Sequence, residues 1–149
     1  MKHGRLEWDI DGLDWPHRSA SRFVTAGGMR WHVQLEGHGP AVLLLHGTGA
    51  ASHSWRHLMP PLTPRYTLIV PAPPGHGFWS PPARHDYSLE GYARGIAALL
   101  AELRVSPVIV AGNSAGAAVA VRYALDTARP PARIIGINAA LLPLAGLSG

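Results

Sequence analysis

Cysteine is absent from the 149 residues. That excludes a disulfide scaffold, a cysteine-ligated zinc site and a thiol nucleophile, and it leaves the redox compartment open. Any nucleophile is therefore an oxygen. Lysine is nearly absent too: Lys2 stands alone beside twelve arginines. Those arginines are scattered singly, with no basic run and no aromatic interleaving, so the net charge of +4 reads as an Arg-rich surface and no nucleic-acid partner is expected. Long apolar runs are also missing. The longest, Ala41 to Leu45, Pro107 to Ala111 and Ile137 to Leu147, fall well short of the roughly 18 to 20 residues that span a bilayer, so no transmembrane segment is expected. Met1 to Trp15 lacks an apolar core and carries Glu7, Asp9, Asp11 and Asp14, a pattern that secretory and transit peptides avoid. A cytoplasmic location is expected, with peripheral membrane contact left open.

What is present is the material of one globular core: 47% of the residues are hydrophobic, and 17 glycines and 14 prolines act as punctuation between elements. Residues 1–20 mix charge with Trp8, Trp15 and Pro16 and read as an arm that docks through its indoles. Ser21 to Ala26 and Met29 to Glu36 are strand-like on either side of Gly27-Gly28, which predicts an antiparallel hairpin. Ala41 to His46 is a continuous apolar run, as expected of a central strand buried on both faces. Trp55 to Leu62 fits a short helix, and Tyr66 to Val70 another buried strand that Pro71 should end. Ser88 can cap a helix whose stripe is Leu89, Tyr92, Ile96, Leu99, Leu100 and Leu103. Strand Pro107 to Ala111, helix Ala115 to Leu125 and strand Arg133 to Ile137 follow. Strand and helix alternate as in a mostly parallel, doubly wound α/β sheet.

The chemistry is concentrated at two turns. Gly112-Asn113-Ser114-Ala115-Gly116 lies between an apolar strand and a helix of small residues. In that context the glycines remove side chains that would collide, Ser114 sits on a tight elbow, and the Ala115 N–H faces the place where negative charge develops in a tetrahedral intermediate. His46-Gly47-Thr48-Gly49 follows the central strand and offers the Thr48 N–H as a second donor to the same charge. Gly47 and Asn113 flank this point and are expected to contact substrate. His46 frames the site and is read as structural. His53 and His57 have zinc-like spacing but no third ligand in matching context, so no metal and no cofactor are expected.

Together the two turns resemble the α/β-hydrolase superfamily, over residues 21 to 138 in layout. Pro74-Gly75-His76-Gly77 is similar to that family's P-G-x-G loop, with Ala72 where an aspartate usually stands. His76 is the one upstream histidine whose loop can approach the site. A closer resemblance is to the BchO type of magnesium chelatase accessory protein of bacteriochlorophyll biosynthesis. It rests on Trp15-Pro16-His17-Arg18, Ser21-Arg22-Phe23-Val24, HGTGAASHSWR from His46, PGHGF from Pro74, GNSAGAAVAVR from Gly112 and INAALLP from Ile137. Asn113 departs from the histidine more usual before the nucleophile. The resemblance implies an accessory role in magnesium insertion, a porphyrin or small-molecule substrate, and magnesium chelatase subunits as partners.

A serine needs a base to act at neutral pH, and in this fold acid and histidine follow the nucleophile. After Ser114 the chain holds one acid, Asp126, on a helix leading away from the site, and no histidine. The expectation is a partial hydrolase core over residues 21–138, with residues 139–149 beginning a lid, C-terminal strands and lid missing, and little activity from this segment alone. Three readings stay open: the chelatase accessory role, a general serine esterase or hydrolase of small acyl substrates, and a non-catalytic porphyrin-binding module.

Overall fold

The computed structural model describes residues 7–72, 86 and 88–141. Among the described residues six strands form one sheet: β1 (Ser21–Ala26), β2 (Met29–Gly37), β3 (Ala41–Leu45), β4 (Thr67–Ala72), β5 (Ile109–Asn113) and β6 (Arg133–Ile137), in the spatial order β1-β2-β4-β3-β5-β6. β1 and β2 pair antiparallel, β2 lies antiparallel on β4, and β4, β3, β5 and β6 run parallel. The helices are α1 (Trp8–Asp11), α2 (Met59–Leu62), α3 (Leu89–Leu103) and α4 (Ala115–Asp126).

β3 is central and fully buried because both its faces are covered. Leu43 and Leu45 point into a layer with Ile69, Val110, Ile96, Leu99 and Tyr123, whereas Val42 and Leu44 pack with Leu68, Val70, Trp55 and Met59 on the other side. The two-residue period of a strand divides one apolar run between two cores. α3 contributes Ile96, Leu99 and Leu100, each nearly inaccessible. Burying such side chains stabilises by about 1.5–3 kcal/mol apiece. Ser88 caps this helix as expected, its hydroxyl accepting from the Gly91 N–H at 3.1 Å.

Three expectations need correction. The helix over Trp55 to Leu62 is instead a 3₁₀ turn at Ser52–Trp55 and a single helical turn at Met59–Leu62. Pro60 and Pro61 lack an N–H and are tolerated only at a helix start, so the helix begins beside them. β4 does not stop at Val70; it continues through Pro71 and Ala72, with Pro71 opposite Val33. Its pairing with β3 ends at Ile69, so Pro71 occupies a stretch laddered on one side only, where a missing donor is cheap. β5 starts at Ile109 and runs to Asn113, two residues later than the apolar run at each end.

The arm is held by its indoles. Trp8 contacts Phe23 and His32 with ring centroids 5.5 and 4.8 Å apart, and Trp15 lies 5.3 Å from His53 and donates to the Ser52 hydroxyl at 3.3 Å. Because the arm covers the second face of β2, four consecutive residues there, Trp31 to Gln34, are buried. Pro74-Gly75-His76-Gly77 and residues 142–149 lie outside the described residues.

Candidate functional site

β5 and α4 meet at Ser114, whose φ of 53° and ψ of −119° lie in a region that a residue with a Cβ rarely adopts. Three backbone hydrogen bonds hold it there. The Ser114 N–H donates to the Ile137 carbonyl at 2.9 Å, and its carbonyl accepts from the Ala117 and Ala140 N–H groups at 3.1 and 3.3 Å. The flanking glycines are sterically required. A Cβ on Gly112 would fall 2.3 Å from the Gly116 carbonyl oxygen, and one on Gly116 would fall 2.4 Å from that of Leu45. The turn from strand to helix thus closes against its own backbone and against β3.

The neighbouring turn supplies the other wall. The Ala50 N–H donates to the Gly47 carbonyl at 3.2 Å, and Gly49, third in that turn, has φ of 75°, the left-handed value that favours glycine. A Cβ on Gly47 would lie 3.1 Å from the Ser114 Cβ and 3.8 Å from its Oγ. Any side chain at 47 would crowd the serine. His46 is buried, with Nδ1 2.8 Å from the Gly47 carbonyl oxygen.

A cavity of about 500 Å³ opens between the end of β3, α3 and α4, lined by Gly47, Thr48 and Ala115 with Leu45, Tyr92 and Ile96 among its apolar walls. Asn113 and Ser114 lie outside that lining, although Ser114 touches its rim through Gly47. Ala115 is the first residue of α4, where amides without an intrahelical acceptor and the helix dipole favour negative charge.

The chain belongs to the alpha/beta hydrolase fold family. The family's sequence model matches residues 40–146. The chain is 44% identical over 138 residues to the magnesium-chelatase 30 kDa subunit of Rhodobacter capsulatus, covering 91% of this chain and 48% of that protein. It is 34% identical over 107 residues to the 2-hydroxy-6-oxo-2,4-heptadienoate hydrolase of Pseudomonas putida, covering 70% of this chain and 39% of the hydrolase. The chain thus spans about half the length, or less, of these relatives. Among solved structures, Cfl2 of Burkholderia cenocepacia superposes with a TM-score of 0.78 at 28% identity, over 84% of this chain and 44% of that one. A meta-cleavage product hydrolase of Pseudomonas fluorescens gives 0.75 at 27%, over 79% and 44%.

Asp126 is tied to Arg122, whose Nε donates to its carboxylate at 2.8 Å. That hydrogen bond, with the guanidinium charge, lowers the carboxyl pKa below its ordinary value. The pair is exposed on α4, at the helix end away from Ser114. His53 faces Trp15, and among the described residues no group of three or more His, Asp or Glu is placed to hold a metal ion. Sequence reasoning missed His32. It is 1% exposed, stacked on Phe23, 2.9 Å from the Ser21 hydroxyl, and burial lowers its pKa to about 4. The alternation of β2 gave no signal for it, because the arm that buries it comes from another part of the chain. No helix among the described residues is long and apolar enough to cross a membrane.

Proposed function

We propose that this chain is the nucleophile-bearing part of an accessory protein for magnesium insertion into a porphyrin, built on a serine-hydrolase framework. Ser114 is the nucleophile, the main-chain N–H groups of Thr48 and Ala115 are the oxyanion donors, and Gly47 and Asn113 flank the substrate. The observation that carries the chemistry is the strained Ser114 backbone at the start of α4, pressed against Gly47. The similarity to the Rhodobacter capsulatus chelatase subunit supports the metabolic setting, a porphyrin or its ester as substrate, and chelatase subunits as partners.

In this reading the Ser114 Oγ attacks an acyl carbon and gives its proton to a histidine base. The carbonyl oxygen becomes an oxyanion facing two preorganised N–H donors. Each such donor is worth on the order of 3 kcal/mol of barrier. No histidine follows Ser114 in this sequence and Asp126 is engaged by Arg122, so this reading assigns neither base nor acid within residues 1–149. Without them the segment is nearly inactive, since removing the histidine of such a triad costs about 10⁶ in kcat.

A second reading, a hydrolase of small acyl substrates, is favoured by the similarity to the Pseudomonas putida hydrolase. The test is to sequence past codon 149 and then treat the resulting protein with a fluorophosphonate. The expected result is an open frame that supplies a carboxylate and then a histidine, with label on Ser114 that Ser114→Ala abolishes. A stop at that point, or an unlabelled Ser114 in a chain that has both groups, overturns the nucleophile assignment. Labelled protein that binds no protoporphyrin selects the acyl hydrolase; unlabelled protein that binds it selects a binding module.

A further inference from the structure

We propose that the edge of the sheet opposite Ser114 is a docking surface for an anionic phospholipid membrane. The parallel strands all begin at that edge, and their leading loops are stitched together. The Thr67 N–H donates to the Pro40 carbonyl at 3.0 Å, the Val108 N–H to Ala41 at 2.9 Å, and the Ala132 N–H to Val108 at 2.8 Å. Arg65 precedes β4, Arg104 ends α3 ahead of β5, and Arg129 and Arg133 lead into β6; all four are exposed. None of them is in an ion pair with a described residue.

The acids near this edge do not neutralise it. Asp126 is held by Arg122, which leaves Glu36, 3.6 Å from the His17 ring, and Glu102 against the four guanidinium groups. The acids of the arm lie elsewhere: Asp9 and Asp11 sit on α1, whose Trp8 packs on His32, and His32 is opposite Ala72 at the far end of β4. Charge is thus polarised along the strand direction.

Two further features favour a lipid surface over an acidic protein. Leu125 is 73% exposed and Val108 39% exposed at the same edge, so apolar side chains share it with guanidinium groups that can pair bidentately with phosphates. Arg104 also occupies the left-handed cap of α3, with φ of 54°, a position where glycine is ordinarily favoured. An arginine stands there against a local conformational preference.

The experiment is co-sedimentation of the protein with vesicles of phosphatidylcholine alone and of phosphatidylcholine with one third phosphatidylglycerol. The protein should pellet with the anionic vesicles only, and raising the salt to about 1 M, where the screening length falls to about 3 Å, should release it. Each basic side chain near an anionic membrane contributes about a fivefold gain in association. Arg65→Gln, Arg104→Gly and Arg129→Gln combined should therefore weaken binding on the order of a hundredfold. Gly suits the left-handed cap, so this variant should melt no lower than the parent. Arg22→Gln with Arg30→Gln, at the β1–β2 hairpin, should leave binding unchanged. Equal pelleting with both vesicle types, binding insensitive to salt, or equal loss in both variants would overturn the proposal. So would binding to poly-glutamate without binding to anionic vesicles, which would point to an acidic protein instead.

Discussion

Replacing Ser114 separates what its backbone costs from what its hydroxyl does. At φ 53° and ψ −119° the Cβ is carried in a sparsely populated conformation, at a cost of about 1–3 kcal/mol. Ser114→Ala keeps the Cβ and hence the strain, so its stability should stay within about 0.5 kcal/mol of the parent. Ser114→Gly removes the Cβ, but glycine loses about 0.4–1 kcal/mol more on folding through the freedom of its unfolded chain. The difference predicts that the glycine variant is more stable than the alanine variant by roughly 0.5–2 kcal/mol. For a chain of this length that is a rise in Tm of about 2–6 °C. Urea unfolding monitored by tryptophan fluorescence reads this directly, provided the m-values agree. A glycine variant no more stable than the alanine variant would refute the claim that the elbow stores strain.

Three further outcomes follow from named contacts. His32 is neutral and buried with a pKa near 4, so the unfolded chain binds a proton below about pH 6.5 that the folded chain refuses. Stability should therefore fall from pH 7 to pH 5 by about 2 kcal/mol on this account, and urea midpoints for His32→Phe should show a shallower slope; an equal slope would acquit His32. Gly116→Ala drives a Cβ to 2.4 Å from the Leu45 carbonyl oxygen and should destabilise by at least about 2 kcal/mol. Gly28→Ala meets nothing within 4 Å and should cost only about 1 kcal/mol for its φ of 74°; thermal melts of the two should differ accordingly. Ser88→Ala removes the cap on α3 and should cost about 1 kcal/mol, seen as a lower urea midpoint, whereas Ser88→Asp should restore it.

Local pattern carried much of this protein. The AVLLL run predicted a strand buried on both faces, because an apolar residue at every position leaves no side for water, and it lies at the centre of the sheet. The spacing from Leu89 to Leu103 imposed a helix, and Ser88 its start. The G-x-S-x-G order between strand and helix was sufficient to locate the elbow, since only glycine fits beside it. Prolines were read less well: Pro71 stays inside β4 because the neighbour that would need its N–H has already left the ladder, a fact about pairing that the chain order does not contain.

Everything that depends on distant segments meeting was decided by tertiary structure. The closeness of Gly47 to Ser114 follows from β3 and β5 being adjacent in the sheet, although 67 positions separate the two residues in the chain. The burial of His32 follows from Trp8 and Trp15 folding back over β2, and its acid pKa exists only because that contact removes water. The row of arginines at the opposite edge is invisible in a sequence where they are scattered singly. Periodicity reports which faces of an element avoid water, since that is set within a few residues; which elements share a face is set by packing of the whole chain.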